Sequence, residues 1–433
     1  MTAVRPPVPS RSRTTAVAKF DAKAMERRRS TVCAQAAGFP GGSISLAGMV
    51  GVAGRADVPP FHVMEVLSAA ARRQRVVGDV VSLAAGQPSS PAPTPVLEAA
   101  HRALREQALG YTEQLGIVEL REALAGHYFR QYGLEVSADD VVVTTGSSGG
   151  FLLAFLAAFE PGDRVALARP GYPAYRNILT ALGCEVVELP CGPETRFQPT
   201  VAMLDDAGPL AGLVVASPAN PTGTVLSPDE LAGLSAWCAE HDVRLVSDEI
   251  YHGISYGAPL ASAWQTSRDS VVVNSFSKAF AMTGWRLGWM LLPPDLRRAV
   301  DRLTGNFTLC PPALAQHAAV AAFEPESYAQ AERLVEGYRL NRDVLLKGLA
   351  DLGIDEVAPA DGAFYAYADV SHLTDDSMDF CRRLLDDTGV AIVPGVDFDP
   401  VRGHEFIRMS FAGSAPDIEE ALRRLGAWLS SSR

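Results

Sequence analysis

Residues 271–288 read VVVNSFSKAFAMTGWRLG, and this stretch constrains the fold more than any other part of the chain. Three β-branched residues predict a buried strand, and the small, hydroxyl-bearing residues after them predict a loop at its end. Lys278 stands in that loop, with Ser275 and Ser277 before it and Arg286 after it. The 433-residue chain contains only four lysines, so a lysine placed at a strand end is informative.

These four side chains suit two kinds of chemistry. A lysine partly removed from water has a lowered pKa, and its amine becomes a nucleophile competent for Schiff-base formation. Two hydroxyl groups and a guanidinium suit the binding of a phosphate. The alternative is a surface lysine beside an ion-paired arginine, but the string as a whole favours the functional interpretation.

The surrounding sequence predicts an α/β fold. Between residues 141 and 275, short β-branched runs alternate with helical patterns, which indicates a mostly parallel sheet covered by helices on both faces. Helical patterns at 61–75 and 117–132 precede this region. Helices at 314–323 and 328–352 follow it, and then a smaller α+β segment with strands near 363–369, 391–394 and 406–410 and a last helix at 417–430.

Three more segments place polar residues at predicted strand ends, where ligands bind in open α/β sheets. Asp248 follows the run at 243–247 and is a candidate carboxylate for a protonated pyridine nitrogen, or an acid that caps the next helix. Asn220 lies in an Asn-Pro-Thr-Gly turn, and it is either a turn residue or a donor to an oxyanion. The Gly/Ser turn at 145–150 offers backbone amides to phosphate, although alone it is weak evidence.

Composition excludes several other classes of protein. Apolar residues make up 48%, charged residues 20%, and the net charge of −12 disfavours nucleic-acid binding. The six cysteines form no C-x-x-C pair, and no metal site is apparent. No apolar run reaches the roughly 18 residues of a membrane span. We therefore expect a cytoplasmic enzyme that contacts neither membrane nor nucleic acid.

The N-terminal segment, residues 1–57, differs from the rest of the chain. Residues 1–55 carry nine basic and two acidic side chains and show no sustained hydrophobic periodicity. A basic disordered extension, a start codon placed too early, and an organelle transit peptide are the three interpretations.

Taken together and in this order along the chain, the four strand-end segments resemble the pyridoxal-phosphate enzymes of fold type I. The closest likeness is to the class I and II aminotransferases related to aspartate aminotransferase, over residues 58–428. The resemblance implies a large domain at 96–325 with a mostly parallel seven-stranded sheet, and a small α+β domain formed by 58–95 and 326–433. It also implies pyridoxal 5′-phosphate as cofactor, amino-acid and 2-oxo-acid substrates, and a homodimer with shared active sites.

The resemblance assigns a role to each matching residue. Lys278 matches the lysine that forms the Schiff base and moves the proton, Asp248 the partner of the pyridine nitrogen, and Asn220 and Tyr251 the donors to the phenolic oxygen. The phosphate would be held by Ser275, Ser277, Arg286, the amides of Ser147 and Ser148, and Tyr111 from the neighbouring subunit. Tyr172 matches the ring stacked on the cofactor. Arg408 matches the clamp for the substrate α-carboxylate, which also meets the backbone of Gly86.

The resemblance leaves the substrate and part of the chemistry open. A dicarboxylate substrate needs a second cation, and no arginine is an obvious candidate, so a neutral or aromatic amino acid is favoured over aspartate. Lyases, decarboxylases, cyclases and hydroxylases share the same cofactor residues and remain alternatives. His252 is interpreted as structural, because Lys278 already supplies the base. Aromatic residues that either line a pocket or fill the core are Phe61, Trp264, Phe307 and Tyr365.

Overall fold

A seven-stranded sheet forms the centre of this structure, a computed structural model that describes residues 51–431. The interpretations of residues 1–50 lie outside this range. The strands of the described residues, of which β2 to β8 form the central sheet, are β1 (Val81–Ser82), β2 (Val141–Thr144), β3 (Arg164–Arg169), β4 (Glu185–Pro190), β5 (Gly212–Ala216), β6 (Arg244–Asp248), β7 (Val271–Ser275), β8 (Gly288–Leu291), β9 (Tyr365–Asp369), β10 (Val390–Ala391), β11 (Val393–Pro394) and β12 (Phe406–Ser410).

Helices cover the central sheet and connect its strands, and further helices pack against the smaller strands near the C-terminus. They are α1 (His62–Val76), α2 (Thr94–Glu106), α3 (Val118–Tyr132), α4 (Gly146–Ala158), α5 (Pro173–Leu182), α6 (Val201–Asp206), α7 (Pro228–Glu240), α8 (Pro294–Phe307), α9 (Ala313–Ala319), α10 (Pro325–Asp351), α11 (Ser377–Thr388) and α12 (Ala415–Ser431). Among residues 51–431, none of them is both long and apolar enough to cross a membrane.

The central sheet has the strand order β2-β8-β7-β6-β5-β3-β4. Strand β8 runs antiparallel to both of its neighbours, and the remaining pairs are parallel. Every residue of β2 and β7 is buried, as expected for strands covered on both faces. The predicted mostly parallel seven-stranded sheet is thus confirmed.

A smaller sheet accompanies it near the C-terminus. Strands β11, β12 and β9 are antiparallel, and the two-residue strand β1 pairs with β10. The single strand predicted near 391–394 is therefore two short ones, interrupted at Ile392, because β10 and β11 pair with different partners.

The helix predicted over 314–323 is shorter than expected. Helix α9 ends at Ala319, and a 3₁₀ turn over Val320–Phe323 follows. Glu324 is extended, with φ −71° and ψ 150°, since the residue before Pro325 is disfavoured in the helical region. This proline then starts α10 at a position where its missing N–H costs nothing.

Candidate active site

The carboxyl ends of the parallel strands bring the predicted residues to one edge of the central sheet. Asp248 is the last residue of β6, and Ser275 is the last residue of β7. Asn220 lies shortly after β5, and Tyr172 shortly after β3. Helix α4 begins two residues after β2, so its N-terminus faces the same edge.

Lys278 projects from the loop after β7, and its side chain is only partly exposed. Its Nζ donates a hydrogen bond to the carbonyl of Gly86 at 2.7 Å and lies 5.7 Å from the ring centre of Tyr251. Burial lowers the pKa of this amine to about 8; the positive charge of Arg408 adds to the effect, and Asp248 opposes it. The uncharged, nucleophilic fraction of the amine near neutral pH is therefore larger than that of an ordinary lysine.

Asp248 is buried, with 4% of its surface exposed. One carboxylate oxygen accepts the hydroxyl of Tyr175, and the other accepts the amide of Ile250 at 3.0 Å. Burial raises the pKa of this carboxyl to about 6, while these hydrogen bonds and the charge of Lys278 lower it. Within residues 51–431 no cation forms an ion pair with Asp248, so a cationic ligand group would be well placed beside it.

A cradle for an anion lies between the start of α4 and the loop after β7. The hydroxyl of Ser275 donates to that of Ser277 at 2.9 Å, and Ser147 and Ser148 stand in the first turn of α4. Arg286 is exposed and donates only to the carbonyl of Thr283 at 3.0 Å; among the described residues it has no acidic partner.

Two glycines allow the start of α4 to lie close to Arg286 and to the start of β8. A Cβ on Gly146, which has a φ of +66°, would lie 2.6 Å from a guanidinium nitrogen of Arg286. A Cβ on Gly288 would lie 2.8 Å from the amide nitrogen of Ser147. The free amides, two hydroxyls and a guanidinium form a donor set that fits a phosphate.

Arg408 lies on β12 and is 2% exposed. Its two terminal nitrogens donate to Oδ1 of Asn220 at 3.0 Å and to the carbonyl of Ala84 at 2.9 Å, and its Nε has no partner. The guanidinium carbon lies 4.4 Å from the ring centre of Tyr365 and 4.9 Å from that of Phe398. None of the carboxylates in residues 51–431 pairs with it, so this buried cation is suited to an anionic ligand.

Tyr251 and Gly86 both lie close to the hydroxyl of Tyr365. The two tyrosine oxygens are 2.8 Å apart, and a Cβ on Gly86 would lie 2.3 Å from the Tyr365 hydroxyl. Burial raises the pKa of Tyr251 well above its usual value, so its phenol stays protonated and able to donate.

Of the two remaining predicted aromatic residues, Tyr172 lies within reach of the charges of Asp248, Arg408 and Arg286, whereas Tyr111 does not lie in the site. Tyr172 is half-buried beside Tyr175, with ring centres 5.3 Å apart, and burial raises its pKa to about 12. Tyr111 is 84% exposed, so residues 51–431 of one chain do not bring it into contact with the other site residues.

His252 is buried behind the site and not in it. Its Nδ1 lies 2.6 Å from the hydroxyl of Tyr132 and 3.5 Å from a carboxylate oxygen of Glu249. Burial lowers the pKa of His252 to about 3 and raises that of Glu249 to about 8. This neutral imidazole makes no contact with Lys278, which agrees with a structural role.

Two tyrosines of the site were not assigned to it from sequence. Tyr175 is three residues after Tyr172 in the first turn of α5, and its helical spacing was the one available signal. The sequence is compatible with Tyr365 as a pocket or a core residue, and the structure shows that it contacts Tyr251, Gly86 and Arg408. Of the other aromatics considered, Trp264 is a core residue and Phe307 is 57% exposed.

Comparisons with known proteins agree with this arrangement. The family model "Aminotransferase class I and II" matches residues 78–425. The chain is 65% identical over 383 residues to the valine–pyruvate aminotransferase of Mycobacterium tuberculosis, an alignment covering 88% of this chain and 99% of that protein. It is 38% identical over 358 residues to an aspartate/prephenate aminotransferase of Thermus thermophilus, covering 82% of this chain and 91% of the relative. A solved structure of an M. tuberculosis aminotransferase superposes with a TM-score of 0.87 at 64% identity, covering 88% and 100% of the two chains.

Proposed function

The chain belongs to the class I and II aminotransferases, and from this premise we propose that it moves the amino group of a neutral L-amino acid to a 2-oxo acid with pyridoxal 5′-phosphate as cofactor. Transfer would occur in two half-reactions, with the amino donor leaving before the acceptor binds, as is typical of the family. The substrate pair that we propose to test first is valine and pyruvate, because the relative at 65% identity is named for it.

One observation carries this proposal. The amine of Lys278 and the guanidinium of Arg408 donate to carbonyls two residues apart, those of Gly86 and Ala84, at 2.7 and 2.9 Å. A nucleophilic amine and a buried cation held on one short backbone segment match the amino and carboxylate ends of an α-amino acid. A simple amine substrate would leave the buried cation without a function.

The residues at the strand ends fit the cofactor, and each would have a distinct task. When bound, pyridoxal phosphate supplies an electrophilic carbon for amino groups and a ring that withdraws electrons. Residues proposed to hold its phosphate are Ser147, Ser148, Ser275, Ser277 and Arg286, with Tyr111 of a second subunit. Asp248 would accept a hydrogen bond from the ring nitrogen, Asn220 and Tyr251 would donate to the phenolic oxygen, and Tyr172 would cover a ring face.

The chain's own groups would also handle the proton and the substrate. The Nζ of Lys278 would take the proton from the substrate α-carbon and deliver it to C4′ of the cofactor, a task that suits an amine with a pKa of about 8. Arg408 would bind the α-carboxylate through two parallel hydrogen bonds, beside the backbone of Gly86. Binding there would also satisfy the unpaired Nε of Arg408.

The charges around Arg408 favour a neutral substrate side chain. The ring of Phe398 contacts Arg408, and the residues on either side of Phe398 bind other arginines. Arg169 lies 3.5 Å from Asp399, and Arg176 donates to the carbonyl of Asp397. Both arginines also lie within 3.4 Å of Glu188. A second substrate carboxylate would have to displace these acidic partners.

The organisation of the enzyme is part of the same proposal. The exposure of Tyr111 supports a homodimer in which this side chain completes the neighbouring site. We further propose that the chain forms two domains, a small one made of residues 58–95 and 326–433 and a large one made of residues 96–325. The proposed location is the cytoplasm.

The test is an exchange between ¹⁵N-labelled L-valine and pyruvate, followed by mass spectrometry. The proposal expects ¹⁵N-alanine and 3-methyl-2-oxobutanoate in equal amounts, and a lower rate with aspartate as donor. Release of ammonia or carbon dioxide without labelled alanine would instead favour a lyase or a decarboxylase. Faster transfer from aspartate would refute the neutral-substrate part.

A further inference from the structure

Tyr175 makes a direct contact with Asp248 that the assigned roles leave unexplained. Its hydroxyl donates to Oδ2 of the carboxylate, while Oδ1 accepts the backbone amide of Ile250 at 3.0 Å. Both donors are neutral, and no described lysine, arginine or histidine forms an ion pair with Asp248. The Tyr175 hydroxyl is therefore the one side-chain donor that holds this carboxylate in the described part of the chain.

We propose that Tyr175 is a positioning residue that keeps the Asp248 carboxylate ionised and oriented towards the ring nitrogen of the bound cofactor. This inference rests on the proposed function, because it assumes that Asp248 faces that nitrogen. Tyr175 itself would touch neither cofactor nor substrate. It would act by fixing one carboxylate oxygen, which leaves the remaining acceptor sites for the cationic ring.

The packing of Tyr175 suits this task. The residue is 5% exposed, and its ring lies 4.9 Å from that of Phe151 and 5.3 Å from that of Tyr172. Neighbouring aromatic rings on two sides restrict its rotamer, so the hydroxyl has a fixed direction. Because Tyr172 and Tyr175 stand three residues apart, one helical turn carries both the proposed ring-covering residue and the donor to Asp248.

Electrostatics explains why this donor matters. Burial raises the pKa of Asp248 to about 6, and the hydrogen bond from Tyr175 is the largest of the effects that lower it. Without this bond, a larger fraction of the carboxyl would be protonated at neutral pH and would no longer attract a cation. Other titratable groups that act on or respond to this carboxylate are Lys278, Glu249, Tyr251 and Tyr172.

The test compares Tyr175→Phe with a matched control, Tyr338→Phe. Tyr338 is also buried, at 2% exposed, but its hydroxyl has no hydrogen-bond partner. Cofactor-free protein is titrated with pyridoxal phosphate between pH 5 and 8.5, and the dissociation constant is obtained from absorbance. A hydrogen bond to a charged group contributes about 1.5–3 kcal/mol, which corresponds to a rise of about one to two units in the pKa of Asp248 from about 6. Tyr175→Phe should therefore lower the ionised fraction of Asp248 at pH 7, and with it the affinity for pyridoxal phosphate, by about 2- to 10-fold.

The pH profile separates this role from a loss of packing. In Tyr175→Phe the midpoint at which affinity falls on acidification should move up by about one to two pH units, whereas a packing defect would weaken binding at every pH equally. In an Asp248→Asn background, Tyr175→Phe should cause no additional loss. This comparison also serves if Tyr175→Phe alone proves too unstable to purify.

The outcomes distinguish this inference from the function on which it rests. The positioning role is wrong if Tyr175→Phe binds pyridoxal phosphate as tightly as Tyr338→Phe does and the midpoint of the pH profile is unchanged. It is also wrong if Tyr175→Phe weakens cofactor binding as much in the Asp248→Asn background as it does in the unmodified protein. If the unmodified protein itself fails to bind pyridoxal phosphate, the proposed function is refuted instead.

Discussion

Replacing Arg408 with alanine should lower kcat/KM for α-amino acids by about 30- to 5000-fold. Arg408 is 2% exposed, so solvent screens its charge far less than it screens the charges of a surface ion pair. Truncating one partner of a buried charge pair costs about 2–5 kcal/mol, and each 1.36 kcal/mol corresponds to about tenfold in rate. Arg408→Lys should restore only part of the activity, since an ammonium cannot reproduce the planar fork.

The structure indicates how to separate this effect from a loss of stability. Arg408→Ala also leaves Oδ1 of Asn220 and the carbonyl of Ala84 without this donor. Melting temperatures should therefore be measured for each variant before its kinetics. Arg402→Ala is a suitable control, because Arg402 lies in the same region but is 53% exposed and paired with Glu405 at 2.8 Å.

The decisive assay compares L-valine with isobutylamine, the same molecule without its carboxylate, in single-turnover reactions. A carboxylate clamp predicts that Arg408→Ala slows the reaction of valine and leaves that of isobutylamine nearly unchanged. Cofactor binding should survive, because the phosphate cradle and Asp248 are not altered. Equal damage to both substrates would mean that Arg408 is structural and that the carboxylate binds elsewhere.

Three further predictions follow from contacts in and behind the site. Tyr365→Phe keeps the ring against Arg408 but removes the hydroxyl that pairs with Tyr251, so kcat/KM should fall by about 2- to 13-fold with cofactor binding intact; an unchanged value would exclude a role for that hydroxyl. Burial raises the pKa of Glu249 from 4.5 to about 8, so the protonated carboxyl stabilises the fold. This contribution to the free energy of unfolding is lost as the pH rises from about 4.5 to about 8. Cofactor-free Glu249→Gln should thus gain about 1.4 kcal/mol per pH unit over the unmodified protein between pH 5 and 8 in urea titrations, and a constant difference would contradict the buried carboxyl. Sedimentation should find a homodimer, and Tyr111→Phe should weaken cofactor binding by up to about tenfold; a fully active monomer would contradict a shared site.

Local sequence patterns predict the centre of the site because its residues directly follow buried strands. Asp248 and Lys278 each come after a β-branched run, so alternation and burial place them at the same sheet edge. Arg408 could be assigned to the site only through the family resemblance. Nothing local indicates that β12 is brought beside Asn220, 188 residues away in sequence.

The contacts that the sequence did not predict are long-range and chemically ambiguous. Tyr175 and Asp248 are 73 residues apart, and Tyr365 and Tyr251 are 114 residues apart. A tyrosine on a buried strand or helix face serves equally well as core, so its spacing does not show whether its hydroxyl has a functional partner. Strand β8 was missed for a related reason, since four residues after a loop carry too little periodicity to indicate a strand.

Reduction with borohydride tests most directly whether Lys278 is the residue to which the cofactor is covalently attached. The purified protein, loaded with pyridoxal phosphate and reduced, is digested with trypsin and mapped by mass spectrometry. The label should appear on the peptide spanning residues 269–286, which contains Lys278. Lys347 is an internal control, because it is 78% exposed and paired with Asp351 at 2.7 Å. A label on Lys347, or no label at all, would contradict this assignment.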